Sequence, residues 1–72
     1  MTADEWIAAF AAELGVAPPD EATVTHLLAL AASAAHQSER TAAPISCYLA
    51  GRAGIDPAAA SQMAAAMAPP ED

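Results

Sequence analysis

The sequence predicts an all-α fold, a compact bundle of four short helices in a single domain that spans residues 1–72. Alanine, the residue with the highest helix propensity, occupies 23 positions, and no segment alternates apolar and polar residues as a strand does. Helix start and stop signals divide the chain into four segments. The predicted helices cover about residues 3–14, 21–37, 43–53 and 57–67.

The first helix has a signal at each end. Thr2 and Glu5 have the T-x-x-E spacing of a capping box, in which each side chain accepts a hydrogen bond from the other residue's backbone. Gly15 occupies the position at which a helix commonly ends in a left-handed residue. The apolar stripe expected to face the core consists of Ile7, Phe10 and Leu14, with Trp6 one turn before Phe10.

The second helix is predicted to begin at Asp20 or Glu21, after the break at Pro18-Pro19, and to run to His36 or beyond. Its apolar residues follow the i, i+3, i+4, i+7 pattern of a helix with one buried face. That face consists of Val24, Leu27, Leu28 and Ala31, extended by the small residues Ala34 and Ala35.

The third helix follows a short connection and ends at Gly54. Thr41 is its predicted N-cap, and Pro44 lies in the first turn, where the missing N–H does no harm. Its large side chains Ile45, Tyr48 and Leu49 share one face, with Arg52 at the rim.

The fourth helix begins at Asp56-Pro57, an N-cap followed by proline at the first helical position. It carries Met63 and Met67 one turn apart and is predicted to stop before Pro69-Pro70. Together with the end of the third helix, residues 46–65 have the spacing of a helix-turn-helix. The second helix of that motif offers only Ser61 and Gln62 to base edges and no cation to phosphate, so a hairpin used for packing explains the pattern better.

The number of large apolar side chains limits the stability of the domain. Apolar residues make up 56% of the chain, but only seventeen of them are larger than alanine. A core of that size supplies about 3–5 kcal/mol, and Cys47, the only cysteine, leaves no disulfide to add to it. The sequence therefore predicts a marginal monomer or a domain completed by a partner, with homo-oligomer formation left open.

The net charge of −7 restricts the partners of the protein. Its nine carboxylates outnumber the only fixed cations, Arg40 and Arg52, which argues against binding to nucleic acid or to anionic membranes. A basic protein surface suits this charge, which also serves to keep an alanine-rich chain in solution. The N-terminus lacks a signal-peptide pattern, no apolar run reaches about 18 residues, and a lone cysteine fits a reducing compartment. The sequence therefore predicts a cytoplasmic protein.

Neither a metal site nor a catalytic site has a convincing set of residues. His26 and His36 lie ten residues apart, about 15 Å along one helix, which is too far to share an ion. Cys47 could approach His36 across the connecting loop, but two ligands do not make a zinc site. A cysteine on an apolar helix is most often a small core residue. We predict no metal, no cofactor and no catalytic residue; a small enzyme that uses His36 or Cys47 is the third alternative.

The unusual side chains gather near residues 34–51. On a continuing second helix, His36 and Arg40 would share a face, as do Tyr48 and Arg52 on the third. Arg40 and the N–H groups at the start of the third helix could hold an anion such as a phosphate or a carboxylate. Alternatively, His36 and Arg40 cap the second helix and pair with a neighbouring carboxylate.

Residues from about 4 to 60 resemble a small actinobacterial family described only as a domain of unknown function, DUF6457. The shared features are an N-terminal helix with Trp6, the LLAL helix over residues 27–30 that leads to Ala35-His36, and the Arg40-x-Ala42-Ala43-Pro44 turn. The family commonly has proline directly after the arginine, where this chain has Thr41. The resemblance implies that His36, Arg40 and Pro44 are functional positions. It also implies a link to the molybdenum cofactor, since family members occur fused to molybdopterin-guanine-dinucleotide-type nucleotidyltransferases and near molybdoenzyme genes.

The sequence thus predicts a non-enzymatic helical accessory module or small subunit of a larger protein, such as a molybdoenzyme or a cofactor-biosynthesis enzyme. Contact would involve the surface of residues 36–52, and exposure of Trp6, Tyr48 or the Met63/Met67 pair would support it. A helix-turn-helix regulator would instead need positive potential around the fourth helix. The partner- or anion-binding residues predicted on both grounds are His36, Arg40, Pro44, Tyr48 and Arg52.

Overall fold

A computed structural model describes residues 1–67, which form four helices and no strand. Helix α1 spans Ala3–Leu14, α2 Glu21–Gln37, α3 Ala42–Ala53 and α4 Pro57–Ala66. The prediction of an all-α bundle of four short helices is therefore confirmed. The predicted stop before Pro69 lies outside the described residues.

Side-chain caps begin the first two helices. The Thr2 hydroxyl accepts a hydrogen bond from the Glu5 N–H at 3.1 Å, and the Glu5 carboxylate accepts one from the Thr2 N–H at 2.9 Å. The predicted capping box is thus present. At the start of α2, the Asp20 carboxylate accepts a hydrogen bond from the Thr23 N–H at 2.8 Å. Because the backbone N–H groups of Thr2 and Thr23 stabilise the charged carboxylates, they lower the pKa of Glu5 and of Asp20.

The other predicted helix ends are partly right. Gly15 and Gly54 end α1 and α3 with φ values of 76° and 69°, in the left-handed region that glycine adopts without steric cost. Thr41 occupies the N-cap position of α3 as predicted, but it has helical backbone angles and its side chain makes no cap hydrogen bond. Asp56 precedes Pro57 at the start of α4, but its side chain also makes no cap hydrogen bond.

Helix α2 is the centre of the packing, because α3 and α4 both lie against it. They contact each other less than either contacts α2, and no helix pair that includes α1 makes a comparable contact. The Cys47 thiol of α3 donates to the Leu27 carbonyl of α2 at 3.9 Å. At the other end of α2, the Gln37 side-chain amide donates to the Ala64 carbonyl of α4 at 2.8 Å.

Only three of the described residues are buried: Ala11, Leu30 and Ala60. The prediction that Phe10 and Leu14 face the core is therefore wrong, since both are exposed. Helix α1 instead turns Ala11 and the half-buried Ile7 inward, and Ile7 shares a crevice with residues at the start of α2.

On α2 the predicted core residues Val24 and Leu27 are half-buried, whereas Leu28 on α2 and the large residues of α3 face outward. Leu28 is 65% exposed, and Leu30, two positions later, is buried in its place. Helix α3 packs against α2 with half-buried small residues, whereas its large residues are exposed. The half-buried residues of α3 are Ala42, Ala43, Ser46, Cys47 and Ala50, and the exposed ones include Ile45, Tyr48 and Leu49.

No helix of the described residues is both long enough and apolar enough to span a bilayer.

Candidate functional site

Most of the large apolar side chains lie on the surface of the protein. Of the seventeen apolar residues larger than alanine, eleven are exposed. Monomeric proteins rarely expose apolar surface in contiguous patches unless the patch binds something. The exposed residues are Met1, Trp6, Phe10, Leu14, Val16, Leu28, Ile45, Tyr48, Leu49, Met63 and Met67.

Several of them line an apolar cleft between α2, α3 and α4, which we call the α2–α4 cleft. Its volume is about 560 Å³, and none of the residues that line it is charged. The buried residues Leu30 and Ala60 belong to its lining, together with uncharged polar side chains at one end of α2. The large apolar residues of the cleft are Leu30, Leu49, Ile55, Met63 and Met67. Sequence reasoning did not identify this cleft, although it noted the Met63/Met67 pair.

A second apolar surface, which we call the aromatic ridge, consists of Trp6, Phe10 and Leu14 on α1. The four-residue spacing places the three side chains on one side of the helix. The rings of Trp6 and Phe10 stack with a centroid distance of 5.0 Å and an interplanar angle of 27°. Such stacking stabilises the pair and holds both rings in fixed positions on the surface.

The five predicted binding residues are all exposed, but they do not form one continuous helical face. Helix α2 ends at Gln37, so His36 lies on the helix and Arg40 lies in the turn that follows it. The expectation that these two share a helical face is therefore wrong. The structure does bring together Tyr48 and Arg52, since the Arg52 guanidinium donates to the Tyr48 hydroxyl at 3.3 Å.

The start of α3 offers few backbone donors for an anion. The N–H of Ala42 donates to the Glu39 carbonyl at 3.0 Å, and that of Ala43 to the Arg40 carbonyl at 3.1 Å. Pro44 has no N–H to offer. The anion-binding hypothesis needs free backbone N–H groups at the start of α3. Two of these three positions already donate within the turn, and the third has no N–H.

At the end of α2, Ser38 satisfies a helix carbonyl and Gln37 makes a hydrogen bond to α4, whereas the two residues predicted to cap the helix do neither. The Ser38 hydroxyl donates to the Ala34 carbonyl at 2.7 Å, and Gln37 reaches across to α4 as described above. These two side chains, rather than His36 and Arg40, make the hydrogen bonds at this helix end. Both predicted residues therefore project from the surface as exposed cationic or titratable groups.

The structure does not bring Cys47 to His36. The half-buried thiol of Cys47 donates to Leu27, which lies nine residues, or about 13 Å, before His36 along α2. Throughout residues 1–67, no group of three or more histidine, cysteine or carboxylate side chains is placed to hold a metal ion. The helix-turn-helix alternative gains nothing either, because α4 contains no lysine or arginine and lies against α2.

The fold and these surfaces define a small all-α helical domain in which most of the apolar side chains larger than alanine are exposed. The family model for a domain of unknown function, DUF6457, matches residues 1–70, and the chain belongs to that family. Comparison with curated proteins and with solved structures gave no match. The family resemblance of the sequence is thus confirmed.

Proposed function

We propose that this protein is a non-enzymatic accessory module, a small subunit that docks on a larger protein of the molybdenum-cofactor or molybdoenzyme system. One observation carries the docking part of the proposal. On the outer face of α3, Ile45 and Tyr48 are 58% and 61% exposed, although large apolar and aromatic side chains are the types that interfaces bury. Leaving them in water would lower the stability of a domain that already has a small core.

The contact surface for the larger protein is the outer face of α3 and the turn before it. Tyr48 and Arg52 belong to the two residue types that, with tryptophan, dominate interface hot spots. The hydrogen bond between them restrains both side chains before binding, which reduces the entropy lost on association. His36, Arg40 and Pro44 extend the same region toward the end of α2, and all five residues are exposed.

The charge distribution indicates the chemistry of that partner. The chain carries a net charge of −7, yet both of its arginines lie between residues 40 and 52. A partner with carboxylates opposite Arg40 and Arg52, inside a generally basic surface, would match both features. The assignment to the molybdenum system follows from the family, whose members occur fused to molybdopterin-guanine-dinucleotide-type nucleotidyltransferases and near molybdoenzyme genes.

The test is affinity purification of tagged full-length protein from a native lysate, followed by mass spectrometry and by elemental analysis for molybdenum. The parent is compared with the double variant Tyr48→Ala, Arg52→Ala. The matched control is Leu28→Ala, which truncates a similarly exposed apolar residue on α2. We expect parent and control to retain the same molybdenum-system protein and the double variant to lose it about tenfold or more.

Two outcomes would contradict the proposal in different ways. Equal retention by the double variant, after circular dichroism shows that it is folded, would mean that the α3 surface is not the contact. Specific capture of a protein unrelated to molybdenum chemistry would overturn the assignment to that system and leave the docking surface in place.

A further inference from the structure

We propose that two copies of this chain associate, with the aromatic ridge of each copy inserted into the α2–α4 cleft of the other. This contact goes beyond the proposed function and does not depend on it. It uses Trp6, Phe10 and Leu14 against Leu49, Met63 and Met67, whereas the contact with the larger protein is centred on Tyr48 and Arg52.

The two surfaces are complementary in shape and chemistry. The ridge presents three large apolar side chains at i, i+4 and i+8 on one side of α1, and an apolar helix side is what an apolar groove binds. The α2–α4 cleft offers about 560 Å³ lined without a charged side chain. Methionine side chains such as Met63 and Met67 adapt their shape and contact aromatic rings favourably. A ridge and a cleft of the same apolar character are thus both uncovered on one chain.

The positions of the two surfaces allow a closed dimer. Helix α1 precedes α2 and packs beside its N-terminal end, whereas residues from Leu30 to Ser38, in the C-terminal half of α2, line the cleft. The ridge lies on α1 and the cleft is lined by residues of the following helices, and the described chain is elongated, measuring 46 × 24 × 18 Å. Two copies related by a two-fold axis and lying antiparallel place each ridge beside the partner's cleft, and the contact occurs twice.

The available area matches that of a specific interface. With about 200 Å² for a large side chain, the exposed fractions of the three ridge residues and of Leu49, Met63 and Met67 amount to roughly 700 Å² per copy. A standard interface buries about 800 Å² per partner. A second copy therefore supplies the large apolar contacts that the core of three buried residues lacks.

Sedimentation equilibrium of the purified full-length chain, from micromolar to millimolar concentration, tests the proposal. We expect the parent to form dimers. Phe10→Glu removes the ridge and Met63→Glu the cleft, so each should weaken association about 30-fold or more, as the loss of a hot-spot residue does. Leu28→Glu, an equal change on an exposed leucine outside both surfaces, should leave the dimer intact, as should the Tyr48→Ala, Arg52→Ala variant.

Either single variant could fail to fold, which circular dichroism would show. Phe10→Ser and Met63→Gln, which add no charge, then replace the glutamate variants. A parent that stays monomeric overturns the proposal. Dimerisation that is unchanged by either the ridge variant or the cleft variant also overturns the proposal. A ridge–ridge contact would be weakened only by the ridge variant, and a cleft–cleft contact only by the cleft variant.

Two further measurements report on the chemistry of the contact. Trp6 is the only tryptophan, so its fluorescence should shift to shorter wavelength as concentration rises and the ridge becomes buried. Because each copy carries a charge of −7, added salt should screen the repulsion and strengthen the dimer. Weaker association in high salt would indicate ion pairs and would overturn an apolar contact.

Discussion

Helices α1 and α4 differ in what holds them in place. Helix α1 has a capping box at its start and the left-handed Gly15 at its end, yet it buries only Ala11 and makes little contact with other helices. Helix α4 lacks a side-chain cap at Asp56 and is mostly alanine, yet it buries Ala60 and packs along α2. Local hydrogen bonds therefore fix α1, whereas tertiary packing fixes α4.

Small and large apolar residues differ in where they lie in this protein. Small side chains occupy the half-buried positions of α3 and α4, the helices that pack against α2. Large side chains, which contribute more free energy per residue when buried, remain mainly on the surface. The residues best able to stabilise a core are thus available for contact with another molecule.

The largest expected change in the free energy of unfolding comes from substitutions on α2, which test whether only one side of that helix is packed. Leu30→Ala should reduce the free energy of unfolding by about 2–5 kcal/mol, since it removes a buried side chain. Leu28→Ala, on the exposed side of the same helix, should change it by no more than about 0.5 kcal/mol. Urea denaturation at one fixed protein concentration measures both. Equal losses from the two variants would contradict the burial pattern.

The next effect concerns backbone conformation at the end of α3. Gly54 has a φ of 69°, so Gly54→Ala should cost roughly 1–2 kcal/mol although the new methyl group would meet no neighbour. Gly51 lies inside α3, also with open space around it, and Gly51→Ala should instead stabilise the protein by about 0.5–1 kcal/mol. Thermal and urea unfolding of both variants provide the test, and shifts of the same sign would contradict it.

Helix ends could be predicted from the sequence because their determinants are local. Thr2 with Glu5, and Gly15 and Gly54, act on backbone groups within a few residues. Thr41 is at the predicted N-cap position but makes no side-chain cap hydrogen bond, because carbonyls of the preceding turn already accept from the first N–H groups of α3. A pattern of residue types does not reveal that competition.

The buried faces and the cleft could not be predicted in the same way. Leu28 and Leu30 are the same residue type two positions apart, and only the approach of α3 and α4 decides which is buried. The cleft requires residues from Leu30 to Met67 to meet across three helices, and no short motif encodes that meeting. The Tyr48–Arg52 contact was predictable because it lies within one helix at four-residue spacing.

A smaller effect tests whether α1 is stabilised mainly by its cap. Thr2→Ala removes the hydroxyl of the capping box and should cost about 1 kcal/mol of helix stability. Since α1 has few contacts with the other helices, amide hydrogen exchange should accelerate in α1 while amides of α2 and α4 keep their protection. Thr2→Ser, which preserves the hydroxyl, is the control. Faster exchange throughout the protein would mean that α1 is coupled to the rest.

The smallest effect is a pH dependence at the start of α2, where Asp20 is exposed and screened by water. The Thr23 N–H lowers the pKa of the Asp20 carboxylate in the folded protein, so the unfolded chain binds its proton more readily. The stabilisation is therefore present at neutral pH and is lost as the pH falls through the folded-state pKa. Asp20→Asn keeps a good N-cap that does not titrate in this range. The difference in the free energy of unfolding between the parent and this variant should therefore shrink as the pH falls. Urea unfolding at several pH values measures it. A difference that stays constant with pH would show that the carboxylate charge contributes nothing to the cap.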